Sequence, residues 1–332
     1  MRVVTSRLHA AIILHFRKNG PNPRPDKRFL NLLCAGLMSC LAITGNVAAQ
    51  SASHDGIDIS SRPFWVNVLY FQDAETEKTL TEVVIEVPYR SLAFQKSGEV
   101  YETNIEAGVA LEEANGFQVD GNFITEKVQT KNLAVTQSNR HTQLFHFAFR
   151  LEPGSYTLRV IIGDEQMRQR FSHAGKIKAP SFRQAQPQIS SLLMARQLDM
   201  SGQAAILQKN GRSILPNVPH LFSAEQPRGF VYFEAYNLSP SLSSGDSFQV
   251  YCFVSHAGRN VSALSWKSPK PGAKAVISLP LNLSDVEAGE YLLTVKVVDL
   301  NSGREASAAA LFYLSRPSQP SVGALESRIW RN

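Results

Sequence analysis

Cysteine is scarce: 332 residues contain three. Two of them, Cys34 and Cys40, fall within the first 50 residues. Cys252 is then alone, and no intramolecular disulfide framework can be built. Long apolar runs are also missing. The longest, Phe29 to Ile43, is interrupted by Asn31, Gly36 and Ser39 and falls short of the roughly 20 apolar residues a membrane helix needs. The chain lacks a Gly-x-Ser-x-Gly elbow, a His-Glu-x-x-His pair, Cys-x-x-Cys, a phosphate loop and a dinucleotide fingerprint, so the familiar catalytic and nucleotide-binding signatures are absent. Excess charge is missing too, once the N-terminus is set aside. Of 34 basic and 28 acidic residues, 7 and 1 lie in the first 50, which leaves 27 of each. The basic isoelectric point belongs to that segment and is not a nucleic-acid footprint. Nucleic acid is not expected as a partner.

What is present begins with a leader. Residues 1–28 carry Arg2, Arg7, Arg17, Lys18, Arg24, Lys27 and Arg28 against Asp26. The short apolar run follows, then Val47-Ala48-Ala49-Gln50, whose small residues suit cleavage after Ala49. This order reads as a secretory signal peptide over 1–49 with a long basic N-region, and it implies export to the periplasm or the cell surface. Two alternatives are a retained membrane anchor and lipidation at Cys40. An early apolar patch, Ala10 to Leu14, leaves room for a translation start downstream of Met1.

One stretch occurs twice. Glu152-Pro-Gly-Ser-Tyr156-Thr-Leu158-Arg-Val160 returns as Glu287-Ala-Gly-Glu-Tyr291-Leu-Leu293-Thr-Val295, 135 positions later (287 − 152). A turn leads into a strand whose Tyr, Leu and Val alternate onto one face. In immunoglobulin-like sandwiches a Tyr at such a corner packs inward and its hydroxyl bonds back to nearby backbone. Two copies predict two tandem β-sandwiches of immunoglobulin or fibronectin type, over 60–180 and 188–316, with a mobile tail over 317–332.

The strand signals agree. In the first half, strands are expected at Trp65–Phe71, Thr81–Val87 (ended by Pro88), Tyr101–Leu111, Phe123–Val128 and Leu144–Phe149, closing with the corner strand to Ile162. Gly108 is expected as a bulge or a crossing point, Asn115-Gly116 as a hairpin turn, and Leu144–Phe149 as buried on both faces. Within this half, Val84-Ile-Glu-Val-Pro-Tyr89-Arg-Ser-Leu92-Ala-Phe94-Gln-Lys-Ser-Gly98, followed by Tyr101 and the Asn104–Leu111 strand, resembles bacterial GWxTD domain-containing proteins. The likeness covers residues 64–162 best. It implies an exported protein with a β-rich N-terminal part. The Gly-Trp-x-Thr-Asp motif itself is absent, because Trp65, Trp266 and Trp330 follow Phe64, Ser265 and Ile329.

Pro and Gln residues over 178–187 read as a linker, and Ile189–Ala195 as a strand or a short helix. Asn210-Gly211 signals a second hairpin. Strands are expected at Gly229–Tyr236, Phe248–Val254, Ala273–Leu281, Tyr291–Leu300 and Ala308–Leu314, with Asn301-Ser-Gly303 turning between the last two.

Candidate chemistry is thin. Phe248, Val250, Cys252 and Val254 share a face, which makes Cys252 a core thiol rather than a reactive one. His141 and His146, five apart on a strand, point to opposite faces. His54, His173, His220 and His256 stand singly. The acidic clusters Glu112-Glu113 and Asp73, Glu75, Glu77 lack calcium-loop spacing and read as solvated turns. Tyr232, Phe233, Tyr236, Tyr251 and Phe253 lie on neighbouring strands, and alternation is expected to leave some outward, where rings stack on sugars. No catalytic, cofactor or metal residue is assigned and no cofactor is expected. The expectation is a non-catalytic envelope protein that binds another envelope protein or serves a structural role. The alternative is a carbohydrate-binding or adhesive surface protein.

Overall fold

In the computed structural model, residues 63–164, 169–199, 206–239 and 245–315 are described. The leader with Cys34, Cys40 and His54, and the tail from 317, lie outside them. The described residues are almost wholly strand, in an all-β sandwich fold.

Four sheets stack. An inner N-terminal sheet holds β1 (Trp65–Gln72), β2 (Thr79–Pro88) and β6 (Thr142–Leu151) in that order. Its companion, the outer N-terminal sheet, holds β3 (Gln95–Ser97), β4 (Val100–Glu112), β5 (Gln118–Thr130), β7 (Gly154–Asp164) and β8 (Gln169–Ala179). Between them lies one core, in which Val83, Ile85 and Val87 of β2 and Phe145, Phe147 and Phe149 of β6 face Ile105, Val109, Leu158 and Val160. The C-terminal half repeats the plan. Its inner sheet has β9 (Gln188–Ile189), β10 (Leu193–Leu198), β11 (Leu207–Lys209), β12 (Arg212–Pro216), β14 (Arg228–Tyr236) and β17 (Ala275–Asn282). Its outer sheet has β13 (Leu221–Ser223), β15 (Ser247–His256), β16 (Arg259–Pro269), β18 (Gly289–Asp299) and β19 (Glu305–Ser315).

The two sandwiches share a third apolar cluster. Leu69, Phe71 and Val84 of the N-terminal inner sheet pack on Leu193, Ala195, Leu207, Ile214 and Tyr232 of the C-terminal one. The inner-sheet strands β2 and β14 are therefore covered on both faces. In β2 every residue but Leu80 is buried, which explains the near-continuous run Val83-Val-Ile85 without clean alternation. The segment between the halves is packed as well. Phe182 is buried edge-on against Tyr236, ring centroids 5.0 Å apart.

Both corners form as the repeat implies. The Tyr156 hydroxyl donates to the Glu152 carbonyl at 2.8 Å, and the Tyr291 hydroxyl to the Glu287 carbonyl at 2.8 Å. Tyr291 is buried and stacks on Phe312, whereas Tyr156 is half-buried. Removing one hydroxyl deletes one net hydrogen bond, worth about 0.5–1.5 kcal/mol. Tyr291→Phe is thus expected to lower the urea midpoint measurably, and Tyr156→Phe by less, because water replaces its lost partner.

Several expectations need correction. Gly108 is not a bulge: β4 pairs with β5 in unbroken register from Tyr101 to Leu111, and the shift falls between Leu111 and Glu112. A side chain at 108 would meet only Phe123 Cβ at 3.9 Å, an ordinary contact. Strand β6 is not buried on both faces. Phe145, Phe147 and Phe149 point into the core while Ala148 is exposed. Of the two readings of Ile189–Ala195, the strand one holds: its ends lie in β9 and β10, joined by the non-helical residues 190–192. Two long strands beyond the expected set, β8 and β16, and two short ones, β3 and β13, extend the outer sheets. The hairpin turns at Asn115-Gly116 and Asn210-Gly211 form as expected, the second with φ of 48° and 75° at its two residues, the left-handed pair a two-residue hairpin needs.

Candidate interaction surface

The polar residues singled out from sequence divide into groups already committed inside the fold and groups left on the surface. Cys252 is committed. It is wholly buried between Val250 and Val254, and burial pushes its thiol up to about 12. A thiol neutral at pH 7 and shut off from solvent is a poor nucleophile. Ellman's reagent is expected to leave it unmodified in the native chain and to titrate it only after denaturation.

The histidines are not brought together. His141 lies in the loop before β6, exposed, with Nδ1 3.0 Å from Ser138 Oγ. His146 is half-buried with Nε2 3.4 Å from Glu82 Oε1. Asn67 Nδ2 donates to His220 Nε2 at 2.9 Å across the inter-sandwich boundary, and His256 Nδ1 sits 2.8 Å from the Glu290 carbonyl. His173 is exposed on β8.

The acidic loop is not simply solvated. Asp73 is buried and accepts from Arg150 Nε at 3.1 Å, while Glu75 accepts from Arg150 Nη2 at 3.1 Å. Glu77 pairs with Arg183. Burial raises the Asp73 carboxyl, but the Thr76 and Arg150 hydrogen bonds outweigh it and hold it below its usual range. Glu112 is tied to Arg159 Nε at 2.6 Å. Among the described residues no group of three or more His, Cys, Asp or Glu is arranged to hold a metal ion.

Sequence reasoning missed a buried charged layer between the sandwiches. Lys209 Nζ reaches Glu82 Oε1 at 2.9 Å and lies 3.8 Å from the centre of the Phe71 ring. Arg196 Nη2 meets Glu86 Oε1 at 2.5 Å. Glu234, 2% exposed, accepts from the Tyr232 hydroxyl at 2.6 Å, the Tyr236 hydroxyl at 2.8 Å and Asn210 Nδ2 at 2.7 Å, with Lys274 Nζ at 2.5 Å. Burial raises the carboxyls of Glu82 and Glu234. In each case the hydrogen-bonded and cationic partners outweigh it and hold the group below its ordinary value. Glu82–Lys209 and Glu86–Arg196 each join one sandwich to the other, which suits a joint rather than a reaction centre. The one sequence signal was Asn210, a turn residue whose amide also serves Glu234 and Tyr232.

Three of the five candidate aromatics are unavailable: Tyr232, Phe233 and Tyr236 are fully buried. They lie on β14, an inner strand covered from both sides. Tyr251 and Phe253 are half-buried on the outside of β15, stacked with centroids 6.3 Å apart and planes 3° off parallel.

The largest exposed rings lie elsewhere, on the β4–β5 hairpin. Phe117 at its tip is 68% exposed and Phe123 on β5 is 69%. Five strands in the outer N-terminal sheet face three in the inner one, so β5 overhangs. Of its 13 residues only Val128 is buried. Phe123 and Ile161 flank Gly108 in one cross-strand row, which makes a shallow apolar step on the outer face. An overhanging strand paired on one side, carrying exposed aromatics, is the usual form of a surface for another chain.

No protein-family model matches the chain, and no curated protein matches its sequence. Among solved structures, a red sea bream transglutaminase aligns over 76% of this chain and 31% of its own, with 10% identity and a TM-score of 0.21. The fibronectin(III)-like modules of Clostridium thermocellum CbhA align over 77% and 96%, with 7% identity and a TM-score of 0.20. The chain thus spans about a third of the transglutaminase, and neither likeness bears on activity.

Proposed function

We propose that this chain is a non-catalytic, exported envelope protein that binds another protein through its N-terminal sandwich. The observation that carries the reading is β5, a 13-residue strand with ten residues exposed, and Phe117 and Phe123 in solvent. The use already made of the reactive groups supports a non-catalytic role. Cys252 is core, while His146 and His220 are engaged at the joint. Export rests on the basic and apolar leader, and a bacterial envelope on the resemblance over residues 64–162. The stacked Tyr251–Phe253 pair favours a second, weaker reading, a carbohydrate-binding face on the other sandwich.

Affinity capture from envelope extract, followed by rebinding of the captured protein in purified form, tests the choice. Loss of an interface aromatic typically costs about 1–4 kcal/mol of binding, so Phe117→Ser with Phe123→Ser is expected to weaken rebinding at least about tenfold. Tyr251→Ser is expected to leave it unchanged. Rebinding indifferent to the hairpin, together with retention on glycan resin lost on Tyr251→Ser, overturns the reading in favour of the second.

A further inference from the structure

The free edge of β5 is not uniform along its length. Near the tip, the Gly121 N–H donates to Asp120 Oδ1 at 2.8 Å and the Phe123 N–H to Asn122 Oδ1 at 2.8 Å. Side chains there occupy the amides that an added strand would use, one of the ways natural edge strands are blunted. Among the described residues no side chain caps the strand's amides in this way from Ile124 to Thr130, although this half too is paired only with β4. The open half is thus six or seven residues long, enough for a short added strand.

Charge limits what such a strand carries. Residues 100–130 hold six acidic residues (Glu102, Glu106, Glu112, Glu113, Asp120 and Glu126) against one basic, Lys127. Lys127 is held by Glu102 at 2.9 Å. The pairing with β4 places Asp120 and Glu126 on the side of β5 that carries Ile124 and Val128, and Phe123 and Thr125 on the other. An added strand alternates in the same way, so along the open half its side chains meet Glu126, between Ile124 and Val128, on one side, and Thr125 and Gln129, flanking the Glu102-bound Lys127, on the other. Cross-strand neighbours of opposite charge, and aromatic with β-branched ones, are the favourable pairs.

We propose that the Ile124–Thr130 edge takes an added strand from a partner polypeptide in which basic and apolar residues alternate. This deepens the protein-binding reading and rests on it. The Asp120 and Asn122 caps confine the added strand to the open half, away from the tip.

The test uses the full chain and two probe peptides, (Lys-Val)4 and (Glu-Val)4, with backbone amide exchange followed by mass spectrometry. With (Lys-Val)4, exchange over residues 124–130 is expected to slow at least about fivefold, as newly bonded amides do, while (Glu-Val)4 leaves it unchanged. Thr125→Pro removes an amide at the open edge, a position where an edge strand tolerates proline, and is expected to abolish the slowing. Gln129→Pro serves if that variant does not fold. No slowing, equal slowing by both peptides, or slowing confined to β8 or β16 overturns the proposal. If the peptide result is negative while purified rebinding still depends on Phe117 and Phe123, this inference fails and the protein-binding reading stands. If rebinding ignores those residues, the reading itself has failed.

Discussion

Lys270→Met is expected to lower the unfolding free energy by about 3–5 kcal/mol at neutral pH, the cost of leaving one partner of a buried ion pair alone. Both side chains of the Lys270–Asp299 pair are 0% exposed, and the nitrogen lies 2.7 Å from Asp299 Oδ1. Lys270 also donates to Ser239 Oγ at 2.6 Å. Asp299 accepts from the amides of Ser239 at 2.6 Å, Asn301 at 2.9 Å and Ser302 at 3.1 Å. The pair thus ties the end of β16 to the β18–β19 turn. Burial raises the Asp299 carboxyl, but Lys270 and these amides outweigh it and hold it far below the usual range. A carboxyl lowered on folding adds stability that is whole above its unfolded pKa of about 4 and is lost as pH falls through the folded value. Urea unfolding of both proteins at several pH values checks this. The gap between them should be constant above about pH 5 and close only well below pH 4. A gap under about 1 kcal/mol at pH 7 contradicts the assignment.

Lys209→Met is expected to cost about 3 kcal/mol and to separate the unfolding of the two sandwiches. The lysine belongs to β11 and its carboxylate partner Glu82 to β2, so the pair crosses the joint. The loss should lie at the lower end of the range for a broken buried pair, since His146 stays 3.4 Å from Glu82 and can still offset its charge. Because Glu82 is held below its ordinary value, the effect is present at neutral pH and fades as acid protonates the carboxyl. Calorimetry should show one transition for the parent chain and two for the variant. A single unshifted transition contradicts a joint held by these charges.

The corner strands β7 and β18 were legible because the corner is local: a turn, a tyrosine and alternating apolar residues recur at fixed spacing. The two-residue hairpin at Asn210-Gly211 was legible for the same reason. The layered joint was not. Strand β14 reads as alternating, with one wet face expected, yet Tyr232, Phe233 and Tyr236 are all buried because a second sandwich covers the other side. Glu82, Glu86 and Glu234 carried no signal of their own, since no local pattern reveals which distant cation will meet them. Strands β8 and β16 escaped because their cores are diluted. Phe171 and Ile177 of β8 are separated by His173 and Gly175, and β16 alternates small polar residues with Leu264 and Trp266. The exposed β5 strand was read as a strand. Its overhang depends on a count of opposing strands that sequence does not contain.

The claim that function resides on the overhanging hairpin is tested most directly in the living cell, with a photo-crosslinking phenylalanine analogue placed at position 123 or at position 251. A discrete adduct from position 123 and none from position 251 is the expected result. An adduct from 251 alone, or none from 123 in cells where the chain is exported and folded, would contradict it.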